Sequence, residues 1–388
     1  MAETPETQAP PAPNKKPRLE NLDGLKGLCG VWVVIFHFLL AFAPFGYTGY
    51  GSGVDAADAA QVYFGSFPYS ILMEGPFVLF TFFALISFIP AYLVIQRQNA
   101  EFLAKQAITR YFRLAPATLA AALWGYAAFC LCHPLHAAFN DDTHLPWMQA
   151  LYVTDLSFCG ALYSGLVGSL FFADGQYNSV LWCMCIVFVG SYLTYGVLYM
   201  FGRLRRRWII YLALLAVCFA TPQYTPFLAG IAAADYCAGT AEKKACEPCC
   251  LCLMLLGLFI GKWPSAHYAA WVPPFLMYGV GNFFFLMGFV RSRIMTRIFT
   301  CGFAKHLGKL SFALILTHFP VLLYFASWLF LQLTGGGMGR AAAIALTLAA
   351  SLPVIYLVSL VFHLVVEKPC TPLCNAVFNF FRKPDTAK

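Results

Sequence analysis

Apolar runs of roughly 20 residues, the length of helix that crosses a bilayer, recur along most of this 388-residue chain. No other feature constrains the fold as tightly. In hydrocarbon every backbone N–H and C=O must find its partner inside the protein, which leaves helices and closed barrels. Barrel strands alternate polar and apolar residues over about ten positions, whereas these runs are continuous. Composition agrees: 60% of residues are hydrophobic and 11% charged, against about 25% charged in soluble domains. The expectation is an all-α protein, a polytopic transmembrane helix bundle of about ten spans. They fall near 24–44, 70–95, 113–132, 178–201, 208–221, 223–239, 249–262, 271–290, 310–333 and 341–366. The fifth to seventh are short and closely spaced.

The net charge of +8 sits in the connectors. No basic stripe is interleaved with surface aromatics, which argues against nucleic-acid binding. Basic residues cluster at Lys15, Lys16 and Arg18, then at Arg97, Lys105, Arg110 and Arg113. Further clusters are Arg203 to Arg207, Lys243 and Lys244, Arg291 to Lys309, and Arg382 and Lys383. With ten spans all of them fall on one side. The opposite loops at 45–69, 133–177, 263–270 and 334–340 are nearly free of Lys and Arg. The positive-inside rule then places both termini in the cytoplasm of a multi-pass protein, in the plasma membrane or an internal one. Residues 1–17, rich in Pro, Ala, Glu and Thr, read as a disordered cytoplasmic tail. They are not a signal peptide, since no apolar core follows directly. Residues 18–370 form the membrane domain and 371–388 a second cytoplasmic tail.

Most of the fifteen cysteines lie inside apolar runs, where a thiol acts as a small buried hydrophobe. Cys246, Cys249, Cys250 and Cys252 cluster as CEPCCLC. With one CxxC and no nearby histidine, zinc is a weak reading. Juxtamembrane acylation or plain helix content fits better. His133, His136 and His144 match no closed metal site and read as loop residues.

Ionisable groups inside lipid are costly and mark function by default. His37 lies near the middle of the first span. Lys26 is eleven residues earlier, three turns plus roughly 20°, and so shares its face about 16 Å away. Asp23 falls close to the same face. The bland alternative is that Lys26 snorkels and His37 bonds a neighbouring helix. His318 lies deep in the ninth span, followed by Phe319 and Pro320, where the proline weakens the ladder and can free a carbonyl. Two such histidines suggest one shared polar cavity.

Six segments, in order, resemble a known family. RLENLDGLKGLCGVWVVIFHF resembles the opening signature of the acyltransferase-3 family through Arg18, Asp23, Gly24, Leu25, Gly27, His37 and Phe38. TFFALISFI looks like its FFVLSGFL, and ITRYFRLAPA is similar to its R-x2-R-x-x-P element through Arg110, Arg113 and Pro116. YNSVLWCMCIVFVGS looks like its LWTMPIEF, LGKLSFALILTHFPVL like its LGKISYSLYLWHFPVL, and VVEKP like its VEKP through Glu367, Lys368 and Pro369. The resemblance covers residues 18–370. It implies an integral membrane O-acyltransferase that moves an acyl group, usually acetyl, from cytoplasmic acyl-CoA to a hydroxyl of a glycan, lipid or small molecule. Three departures bear on chemistry. Lys26 stands where the family has Arg and loses the planar fork. Val187 replaces an acid. Ser87 replaces a glycine.

Such a transfer needs a base, oxyanion donors and a cationic grip on the CoA phosphates. His37 is the candidate general base. Arg110 and Arg113, three apart on one helix face, suit phosphate, with positive-inside anchoring as the alternative. Lys26, with Asp23 beside it, is placed on the CoA or its thioester carbonyl. His318 is assigned to support or to the acceptor side. Asp235 and Glu367 are polar sites without an assigned role. No metal is expected. Two other readings stand beside the enzyme. One is a relative that binds ligand or lipid but has lost catalysis, motivated by Lys26 and Val187. The other is a transporter, motivated by the two buried histidines but lacking internal repeats or paired broken helices. The sequence does not name the acceptor, the acyl length or the oligomeric state.

Overall fold

A computed structural model describes residues 19–43, 74–97, 100–132, 155–241, 245–262 and 272–382. The expected N-terminal tail, Arg18, the loop histidines His133, His136 and His144, the lysines Lys243 and Lys244, and the loops at 45–69 and 263–270 lie outside them.

The described chain is helical, and it contains no strand. In order the helices are α1 (Glu20–Phe42), α2 (Gly75–Arg97), α3 (Ala100–Cys132), α4 (Phe158–Phe171), α5 (Cys183–Phe201), α6 (Arg207–Val217), α7 (Thr225–Gly239), α8 (Glu247–Lys262), α9 (Pro274–Arg291), α10 (Arg293–Phe299), α11 (Gly302–Gly335) and α12 (Arg340–Phe381). A single 3-10 turn, Ser179–Trp182, leads into α5. Seven helices are long and apolar enough to cross a membrane: α1, α2, α3, α5 with its leading turn, α9, α11 and α12. That is compatible with an integral membrane protein. The fifth to seventh expected spans are helical but short, with 11, 15 and 16 residues in α6, α7 and α8. Eleven residues rise only about 16 Å, roughly half the hydrocarbon thickness.

Two further differences from expectation have visible causes. Part of the stretch expected as loop at 133–177 is the helix α4, packed on α3. Its widened turn at Ser164–Gly168 lets the Thr118 hydroxyl donate to the Gly165 carbonyl at 2.6 Å. The expected C-terminal tail is helical as far as Phe381. Cys370, Cys374 and Phe378 recur every fourth residue and are buried. That stripe docks this end of α12 on α3, and Lys105 Nζ donates to Asn375 Oδ1 at 2.9 Å beside it.

The closest pairings are α8 with α9, α1 with α11, and α7 with both α2 and α9. Small residues set them, as they do wherever helices cannot rely on a hydrophobic drive in lipid. Gly257 of α8 faces Gly281 of α9, and a Cβ there would stand 2.5 Å from the Gly281 carbonyl. Gly230 of α7 faces Ala84 and Ser87 of α2. Ser87, the residue expected to disturb close packing, is fully buried and donates to the Ala84 carbonyl at 2.9 Å. The glycine that permits the close approach stands on the facing helix instead.

Candidate active site

The first element to place is α1. Gly24, Gly27 and Gly30, three residues apart, form a flat face, with Gly24 against Phe299 of α10 and Gly27 and Gly30 against α11. A Cβ on Gly27 would stand 2.6 Å from the Gly308 backbone nitrogen, so the two backbones nearly touch. Two turns further along, the same face carries His37 to His318 of α11.

The two imidazoles meet, with His37 Nδ1 3.2 Å from His318 Nε2. Their hydrogen bonds imply the tautomers. His318 Nδ1 lies 2.9 Å from the Leu314 carbonyl, which can only accept. His318 therefore donates from Nδ1 and offers a lone pair at Nε2. His37 Nδ1 lies 3.0 Å from the Val33 carbonyl, so it too carries its proton there, shared between that carbonyl and His318 Nε2. Neutral His37 then holds its basic lone pair on Nε2. His318 is buried and His37 half-buried, with Phe319 edge-on to both rings.

Pro320 shapes the turn that carries His318. Its missing N–H deprives the Leu316 carbonyl, four residues back, of a helix partner. Asn178 Nδ2 donates to that carbonyl at 2.8 Å from the turn before α5. The strain continues into a π-type turn at Val321–Ala326, where the Val321 N–H bonds the His318 carbonyl. The Thr317 carbonyl then receives Trp124 Nε1 of α3 at 3.2 Å. The Thr317 hydroxyl pairs with Ser359 of α12 at 2.8 Å. Three segments thus converge on one unwound turn of α11 beside the histidine pair. Asn178, Trp124 and Ser359 had not been singled out in the sequence. Their one signal was polar side chains in otherwise apolar runs, and only the carbonyl freed by Pro320 had been foreseen.

The cations lie elsewhere. Lys26 Nζ is 2.7 Å from Asp23 Oδ1. It stands eleven residues of helix, roughly 16 Å, from His37, further than a lysine side chain reaches. While it is held by Asp23 it does not reach His37. Arg113 and Arg110 precede Trp124 by 11 and 14 residues. Helix rise puts them roughly 16 and 21 Å below the level of the histidines, on the same side as Lys26.

Arg110 and Arg113 remain neighbours but face different partners. Arg110 is half-buried near Tyr192 and Tyr195 of α5, and its Nε makes no hydrogen bond among the described residues. Arg113 is exposed and lies within electrostatic reach of Glu367. Glu367 accepts from His363 Nδ1 at 2.6 Å across a further π-type turn, and its Oε1 has no partner among the described residues.

Two more sequence-marked positions have structural roles. Asp235 of α7 receives Arg207 of α6 through both carboxylate oxygens at 2.5 Å, with Tyr211 adding a third bond at 3.2 Å. Val187 is buried in the main core, where the Ser191 hydroxyl donates to its carbonyl at 2.6 Å. No cluster of three or more His, Cys, Asp or Glu suited to a metal occurs among the described residues.

Comparison with family models, with curated proteins and with solved structures finds no match.

Proposed function

We propose that this chain is a membrane O-acyltransferase of acyltransferase-3 type, using acyl-CoA, with acetyl-CoA as the first donor to test. The observation that carries the proposal is the His37–His318 pair in an apolar helix bundle, with cationic side chains displaced to one end. His318 fixes the His37 tautomer, leaving Nε2 as the base. An acceptor hydroxyl gives its proton to that nitrogen as its oxygen attacks the thioester carbonyl. The C–S bond breaks, and the CoA sulfur leaves with the proton returned from the imidazolium. Arg110 and Arg113 bind the CoA phosphates, and the unused Arg110 Nε supports that role. The distance from these arginines to the histidines is bridged by the extended pantetheine arm of the donor. Lys26, tied to Asp23, contributes positive potential along the same approach.

Ten crossings with both termini cytoplasmic fit this reading. Each expected span coincides with a helix, and the basic clusters alternate consistently. Donor and acceptor then enter from opposite faces.

The test is CoA release by the full chain in proteoliposomes given acetyl-CoA and a panel of hydroxyl acceptors. His37→Ala should lower acceptor-dependent release by about 10²- to 10⁴-fold, the usual worth of a general base. Arg110→Ala should instead raise the half-saturating CoA concentration. Unchanged release in His37→Ala would sink the assignment. Val187 favours a second reading, a ligand-binding relative without turnover. Saturable CoA binding with no release from any acceptor, and none gained by Val187→Glu, would select it.

A further inference from the structure

The cysteines at the start of α8 take no part in the chemistry above. Cys246, Cys249 and Cys252 are exposed, whereas Cys250 is turned into the bundle. From Cys249 the exposed face continues through Cys252, Leu256 and Phe259, at steps of three and four residues. The thiols therefore head an apolar stripe that runs along the outside of the helix bundle.

The position of this end on the bundle is fixed independently. The Glu247 carboxylate accepts from the Ser292 hydroxyl and, at 2.9 Å, from the Arg293 N–H. It thereby pins the start of α8 to the α9–α10 junction. That junction carries Arg291, Arg293 and Arg297, and Lys243 and Lys244 precede α8 in sequence. Basic residues beside an apolar stripe mark a membrane–water boundary that attracts anionic lipid and acyl-CoA alike. Cys246 itself lies just before the helix. A backbone N–H and the thiol of Cys249 both donate to its sulfur and hold its thiol below the ordinary value. The reactive form of a cysteine is the thiolate, and this contact favours it at Cys246 while it raises the Cys249 thiol, so Cys246 is the first acceptor.

We propose that Cys246 and Cys249 are sites of fatty S-acylation, the attached chain lying along the Cys252–Leu256–Phe259 stripe. In the step, a cysteine thiolate attacks the carbonyl of a long-chain acyl-CoA. A new C–S bond forms at the protein, the C–S bond to CoA breaks, and CoA leaves as its thiolate, which takes up the proton the cysteine lost. No oxidant or metal enters. Cys252 lies one turn deeper, away from the basic residues, and is not an acceptor.

The experiment uses the full chain in liposomes with an alkyne-tagged palmitoyl-CoA, followed by click detection, neutral hydroxylamine and peptide mapping. The expected result is hydroxylamine-labile label on residues 246 and 249. It should fall at least fivefold in the Cys246→Ser/Cys249→Ser double variant and stay unchanged in Cys252→Ser. Absence of label on the parent chain would overturn the proposal. So would label that persists in the double variant or that maps to Cys301, the exposed cysteine at the start of α11. Serine at these exposed positions leaves the packed face of α8 intact, so a folding failure would not mimic the expected loss.

Discussion

At the scale of single residues, the site depends on side chains that repair the backbone. Pro320 and the turn after it leave two carbonyls without helix partners, and Asn178 and Trp124 supply them from neighbouring segments. An unmade bond to a buried carbonyl costs more than the bond gains when made. Trp124→Phe removes one donor and should destabilise the chain by about 1 kcal/mol. Asn178→Leu buries the Leu316 carbonyl against apolar groups and should cost about 1–3 kcal/mol. Thermal unfolding in detergent, by tryptophan-independent light scattering or thiol-dye uptake, measures both. Combining Asn178→Leu with Pro320→Ala should recover part of the loss, because alanine restores the helix N–H that the carbonyl lacks. No recovery would mean that Asn178 does more than satisfy that carbonyl. The histidines themselves were legible as intramembrane polar groups. Their contact was not, since nothing in a single chain says which faces of two spans, 281 residues apart, will meet.

At the scale of elements, the meeting of α1 and α11 rests on glycines. The spacing of Gly27 and Gly30 gives one flat face, and Gly308 and Ser311 answer it from α11. Gly27→Ala would place a methyl against the Gly308 backbone and should cost about 1–3 kcal/mol through overpacking. It should also widen the histidine pair and lower acyl transfer at saturating donor. Gly196→Ala is the control, because a Cβ there meets nothing within 4 Å. Equal stability loss in both variants would remove the argument for close approach. The helical character of each expected span was readable from length and hydropathy. The extra helix α4 and the helical end of α12 were not. Their apolar faces are short and become useful only because α3, a 33-residue helix, is there to receive them.

At the scale of the whole molecule, the arrangement separates a cationic end from the histidine pair by roughly 16 Å of helix rise. Topology turns that separation into a statement about two compartments. In protein first treated with neutral hydroxylamine, a membrane-impermeant thiol reagent should reach Cys246, and a cysteine placed at Gly339 in the turn between α11 and α12, from opposite faces of sealed vesicles. Labelling of both from one face would break the ten-crossing reading, and with it the idea that donor and acceptor enter from opposite sides. The short helices α6 to α8 are the part of the molecule this measurement tests, because length alone does not decide whether they cross. The bidentate Arg207–Asp235 bridge ties α6 to α7 within that region.

The sequence by itself determined the solvent and the secondary structure. Continuous apolar runs of spanning length are compatible with a membrane-integral chain, backbone groups in lipid favour helices, and the asymmetry of Lys and Arg points to an orientation. It also exposed His37, His318 and the carbonyl freed by Pro320, because charge and proline are conspicuous against an apolar background. Only the tertiary structure decided that the two histidines touch, that Lys26 is spent on Asp23, and that Asn178 and Trp124 close the broken turn. The reason is that these outcomes depend on helix pairing. Pairing in lipid is set by the shape of small-residue faces and by single hydrogen bonds across helices, neither of which leaves a periodic trace along one chain.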